Sequence, residues 1–103
     1  MLESLNALKA KDYFPLDEWE ERGLNRSNDE IIHQMNNEVK DFINFLIPLY
    51  EANLAEQQII NKIQIYFDNW DRKEFDTEEM EFIFDEFFYI ISALNIDASK
   101  LEV

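Results

Sequence analysis

Glu30 and His33 stand three residues apart in "NDEIIHQM". On a helix that spacing puts a carboxylate and an imidazole on one face, the pattern with which four-helix bundles hold paired iron ions. The chemistry takes two such motifs, and this chain has one histidine. His33 also falls off the apolar line that starts with Ile31 and Met35. The pair therefore reads as a surface histidine beside a first-turn glutamate. Residues 68–79, "DNWDRKEFDTEE", raise the question of calcium. An EF-hand loop needs oxygen ligands at its first, third and fifth positions and glycine at its sixth. Counting from Asp68 puts Trp70, Arg72 and Lys73 at the later places. Counting from Asp71 puts Lys73, Phe75 and Asp76 there. Neither register is a calcium loop, and no metal or cofactor is expected.

Covalent catalysis finds no footing either. Ser4, Ser27, Ser92 and Ser99 lack the flanking glycines of a nucleophile elbow. There is no cysteine, which removes thiolate nucleophiles, thiolate metal sites and disulfides. A single glycine leaves no phosphate-cradling loop. Carboxylates abound, yet nothing sets one pair apart in an apolar pocket, the condition that splits their acidities for acid–base work. No catalytic residue is assigned, and the expectation is a protein without enzymatic activity.

Charge points to partners instead. Twenty-three acidic residues against nine basic ones give a net charge of −14. Such a surface repels nucleic acid and anionic membranes and attracts basic proteins. The charge is also uneven. Asp68, Asp71, Glu74, Asp76, Glu78, Glu79, Glu81, Asp85 and Glu86 crowd one window, opposed there by Arg72 and Lys73. A second cluster is Asp17, Glu18, Glu20 and Glu21. Concentration of this kind favours a binding surface over uniform solvation. No N-terminal run resembles a signal peptide and no stretch has the length of a membrane span, so a cytoplasmic protein is expected.

Those charges need a scaffold. The chain has 103 residues, 47% of them hydrophobic, with nine Phe, one Gly and two Pro. That is material for one domain with one core and too few turn formers for an all-β fold. Leu2, Leu5 and Leu8 predict a short N-terminal helix, broken at "DYFP". "LDEWEERG" predicts one or two helical turns stopped by Gly23. Ser27 with Glu30 matches a capping box. The helix after it carries Ile31, Met35, Val39, Phe42, Leu46 and Leu49 on one line, widened by Ile32, Ile43 and Tyr50. Pro48 should kink or end it. Asn53 and Glu56 suggest the next start, with Ile59, Ile60, Ile63, Tyr66, Phe67 and Trp70 as the apolar face. Asp76 as N-cap, Glu79 closing a capping box, and Phe75 with Met80 as a staple mark the last start. This helix should fade near Asn95. The sum is an all-α protein: a small antiparallel bundle of three main helices plus a short N-terminal one, in one domain over residues 1–103.

"DYFP" near the start and "FDTEEMEFIFDEFFYIISALNID" near the end resemble a family of small, acidic, helical bacterial proteins catalogued only as a domain of unknown function. The likeness covers most of the chain. It implies an all-helical fold and supplies no activity and no functional residues.

Two side chains of the last helix stand out. At about 100° per residue, Met80, Ile83, Phe84, Phe87, Ile90, Ile91 and Leu94 share one side, bordered by Phe88. Phe82 and Tyr89 fall in the arc of Glu78, Glu79, Glu81, Asp85 and Glu86. Another segment of the chain, such as the N-terminal helix, would cover them; or they line a contact between copies; or they anchor a partner. Aromatics ringed by charge are how specific interfaces are built. The expectation adopted is that Glu78, Glu81, Phe82, Asp85 and Tyr89 bind a basic protein partner, with no direct contact to nucleic acid or membrane. The protein would block that partner by occlusion, as an immunity protein or an inhibitor of a nucleic-acid-binding enzyme or toxin does. The alternative is a homo-oligomeric structural or regulatory protein, a homodimer in its simplest form.

Overall fold

The computed structural model describes residues 13–14, 16–23, 27–71, 75–97, 99 and 101. The helix expected from Leu2, Leu5 and Leu8 lies outside them. Four helices stand among the described residues: α1, Leu16–Glu21; α2, Asp29–Glu51; α3, Glu56–Asp68; and α4, Thr77–Ala93. No strand occurs among these residues, and the all-α bundle implied by the hydrophobic spacing is the observed class.

Helix α2 buries Ile32, Met35, Val39, Phe42, Ile43 and Leu46, a stripe at steps of three and four. Ile31, Leu49 and Tyr50, expected on or beside that line, are partly buried flanks. Phe42 occupies the crossing point. Its ring lies 4.7 Å from Phe87 of α4 and 5.3 and 5.8 Å from Tyr66 and Phe67 of α3. Phe45 meets Tyr66 at 4.7 Å, and Trp70 Nε1 donates to Glu38 at 3.3 Å. Partners on α2 thus fall in number as α3 advances, so the two helices are antiparallel. Trp70 stacks on Phe75 at 6.2 Å and meets Phe84 at 5.0 Å, closing the turn between α3 and α4.

The ends obey local rules, with two shifts from expectation. The α4 start is as expected: Asp76 accepts from the Glu79 backbone at 2.8 Å, and the Glu79 side chain accepts from the Asp76 backbone at 2.9 Å. Phe75 is buried and Met80 packs against the core. At α2 the cap is Asn28, which accepts from Ile31 N at 2.9 Å. Ser27, expected in that role, sits one residue too early and turns its hydroxyl to Glu79 instead. Asn53 does not start α3; it ends α2. Its φ is 56°, its N–H reaches Tyr50 O at 3.1 Å, and Leu54 N reaches Leu49 O at 3.5 Å, which is a Schellman ending. The α3 start is Ala55, whose N–H is taken by the Gln58 side chain at 3.0 Å. Pro48 neither stops α2 nor sits at its centre. It lies in the last turn, where a single hydrogen bond is lost, and its own carbonyl accepts from Ala52 N at 2.9 Å.

The acidic face of α1 and α4

Phe82 is fully buried, and this corrects its assignment as an exposed anchor. Phe14 meets its ring edge-on at 4.8 Å, and Trp19 does so at 5.0 Å. The physical reason is that α4 is packed on two sides. Phe87, Ile90 and Ile91 face the other main helices, while Phe82 supports the N-terminal segment. Tyr13 N donates to Asn36 Oδ1 of α2 at 3.0 Å, and Trp19 Nε1 donates to Phe14 O at 3.2 Å. The segment therefore lies over α2 and α4, with Tyr13, Phe14 and Trp19 all essentially inaccessible. A helical wheel places Phe82 among charges because it counts neighbours on one helix. It cannot show that Phe14 and Trp19 supply an aromatic lid.

Arg22 was not marked by the sequence. Its guanidinium lies 3.9 Å from the centre of the Phe82 ring and pairs with Asp85 at 2.8 Å. The cation seals the outer edge of the aromatic cluster, a favourable use of a ring face. The signal was present in "EERG": an Arg between the last helical residue and the glycine stop, beside the helix that had to be docked.

The remaining assigned residues stay at the surface. Glu78 and Glu81 are exposed, Asp85 is exposed and held by Arg22, and Tyr89 is 48% exposed. Tyr89 and Glu86 lie near Tyr13, whose phenol is pushed above its ordinary value by burial first, then by the Glu86 charge and Tyr89. Glu79 leaves the acidic arc. It is buried, bound by Asp76 N and the Ser27 hydroxyl, and ties the start of α4 to the start of α2.

Docking of α1 onto Phe82 joins two clusters that are sixty residues apart in the chain. Asp17, Glu18, Glu20 and Glu21 are exposed around Trp19, and Glu78, Glu81 and Asp85 are exposed around Phe82. The Trp19–Phe82 contact sets the helix that carries the first cluster against the helix that carries the second, and Arg22 pairs across it with Asp85 at 2.8 Å. Along α4 the steps from Glu78 to Glu81 to Asp85 rise about 4.5 and 6 Å. Such a face attracts cationic groups over roughly a Debye length and has the valence to pair with several of them. No helix among the described residues is long and apolar enough to cross a membrane.

Comparison with protein families gives a match over residues 1–101 to the model described as "Domain of unknown function (DUF4844)". No curated protein and no solved structure matches the chain.

Proposed function

The chain belongs to the DUF4844 family, which carries no assigned activity, and from that premise we propose that it is a small acidic protein that binds a basic protein partner and blocks it by occlusion. The observation that carries this reading is the joining of Asp17, Glu18, Glu20 and Glu21 with Glu78, Glu81 and Asp85 through the Trp19–Phe82 contact. Each cluster alone is a solvated helix face. Together they offer a partner carboxylates from two docked helices. Carboxylates at helical steps of about 5 Å stand in for the phosphates of an anionic substrate. An inhibitor of a nucleic-acid-binding enzyme, or an immunity protein against a toxin of that kind, uses such a face. Tyr89, half exposed near its edge, gives the contact an aromatic.

Affinity capture from a bacterial extract tests the proposal, with wild-type chain and a Glu78→Lys/Glu81→Lys variant as baits. The reading expects a basic protein on the wild-type bait that is released by about 0.5 M salt and missing from the variant. Equal capture by both baits would place the contact elsewhere. Self-association is the competing reading, and a dimer in sizing that persists in the same variant would favour it.

A further inference from the structure

A bundle of three main helices has three grooves between neighbours. The N-terminal segment covers the one between α2 and α4. A second one, between α2 and α3, stays open, with a volume of about 530 Å³. Phe45 and Leu49 form its α2 wall; Ile65 and Tyr66 form the α3 wall; Trp70 closes one end. Ile65 is 60% exposed, the most exposed large apolar side chain described. The site is concave and mostly apolar, with its polar groups at the ends.

Those ends differ in sign. Because α2 and α3 are antiparallel, Leu49 and Lys62 share one end, while Trp70 and Asp71 share the other. Asp41 stands one helical turn before Phe45, on the Trp70 side, and is exposed. Glu38 lies beneath Trp70, whose indole donates to it. The negative field reaches the groove itself: Tyr66 is pushed up to about 12, by burial first and then by the charges of Glu38 and Asp41.

We propose that this groove is a second docking site, which takes one amphipathic helix of a partner protein, its apolar face laid against Phe45, Ile65, Tyr66 and Trp70 and its basic end over Asp41. The choice of occupant follows from the charge. An apolar trench with the exposed Asp41 carboxylate at one end and the Lys62 ammonium at the other disfavours an acidic helix and orients a basic one. From Lys62 to Asn69 the α3 wall runs about 10 Å, two turns of a bound helix, which matches anchors at steps of three and four. The site does not use the α1–α4 face and stands or falls separately from the role assigned to that face.

The probe is a synthetic amphipathic peptide of about 15 residues, with leucines at helical spacing and lysines beside them at one end. It is titrated against the full chain in about 0.5 M salt, which screens diffuse attraction to the acidic surface. One-to-one binding is expected, with a shift in Trp70 emission. Ile65→Asp should weaken it by about tenfold or more, although the added charge would strengthen a merely electrostatic contact. Glu78→Lys/Glu81→Lys should leave it within about twofold. Undiminished binding by Ile65→Asp, or loss in the Glu78/Glu81 variant, overturns the proposal. A fall in melting temperature on Ile65→Asp would show the groove filled by a segment of the same chain. A dimer dissolved by Ile65→Asp would show it filled by a second copy. Either result also overturns the assignment to a partner helix.

Discussion

Phe82 carries more of the fold than its neighbours in the chain suggest. Its ring is enclosed by Phe14, Trp19 and Arg22. Truncation to Ala should therefore cost about 3–5 kcal/mol, the usual figure for a buried Phe. Tyr89→Ala, at a half-exposed position, should cost about 1 kcal/mol or less. Chemical denaturation of the two variants gives the comparison, and equal losses would mean that the N-terminal lid contributes nothing. The sequence did hold this alternative, cover by another segment of the chain, but periodicity alone could not choose it. Wheel arithmetic locates a side chain on its own helix; the lid comes from Phe14 and Trp19, far earlier in the chain. A second residue-scale effect belongs to the tyrosines. Tyr13 and Tyr66 both have phenols raised above the ordinary value near 10, chiefly by burial. Between about pH 10 and 12 the unfolded chain sheds these protons while the native chain keeps them. Stability should be independent of these groups below about pH 10 and fall as pH rises beyond it. Tyr66→Phe should lessen the fall in denaturation midpoint across that window; an unchanged slope would mean that Tyr66 ionises as freely in the folded protein as in the unfolded one.

At the scale of elements, starts were harder to read than stops. Gly23 ends α1 with φ 71°, and Asn95 ends α4 with φ 61°, both where turn chemistry predicts. Asn95 N bonds Ser92 O at 3.0 Å and Ile96 N bonds Ile91 O at 3.2 Å, the same Schellman pattern that Asn53 makes after α2. Asn53 fits two roles because asparagine serves both as N-cap and as left-handed C′ residue, and Glu56 three places on suits the first role equally well. Ser27 carries a related ambiguity: Asn28 beside it is as good a cap, and only the position of Glu79 decides which residue is free to cap. Asp76 raised no such ambiguity, because cap, box and flanking apolar residues all agreed. The Schellman ends make a prediction. Val at position 95 must take a conformation that costs a side-chain-bearing residue about 1–2 kcal/mol, more for a branched one. Asn95→Val should lower stability by that order, while Asn95→Gly should hold or raise it. Thermal denaturation of the pair tests this, and equal melting temperatures would deny the strain.

For the molecule as a whole, the charge that recommends it as a binder also works against its folding. A net charge of −14 on 103 residues is self-repulsive, and docking α1 on α4 brings two acidic clusters together that the unfolded chain keeps apart. Opposing this, Arg22 pairs with Asp85 and covers Phe82. That pair is partly exposed, with side-chain accessibilities of 32% and 59%, so it is worth about 1 kcal/mol at most. Salt weakens both terms, and the repulsion has many more members. Raising ionic strength from about 0.01 to 0.15 M shortens the screening length from about 30 to 8 Å, enough to shield α1 acids from those of α4. The melting temperature should therefore rise with salt. Replacing one acid from each cluster, Glu20→Lys with Glu78→Lys, should raise stability at low salt and flatten the dependence, since it removes repulsion across the α1–α4 contact. Both positions are exposed, so neither change disturbs the core. A wild-type melting temperature that stays level or falls with salt would mean that the acids are compensated where they stand. A double variant that gains nothing would mean that the two clusters do not feel each other. If the gain appears, the native acids are retained at a cost to stability, which is the condition expected of a surface kept for binding rather than for folding.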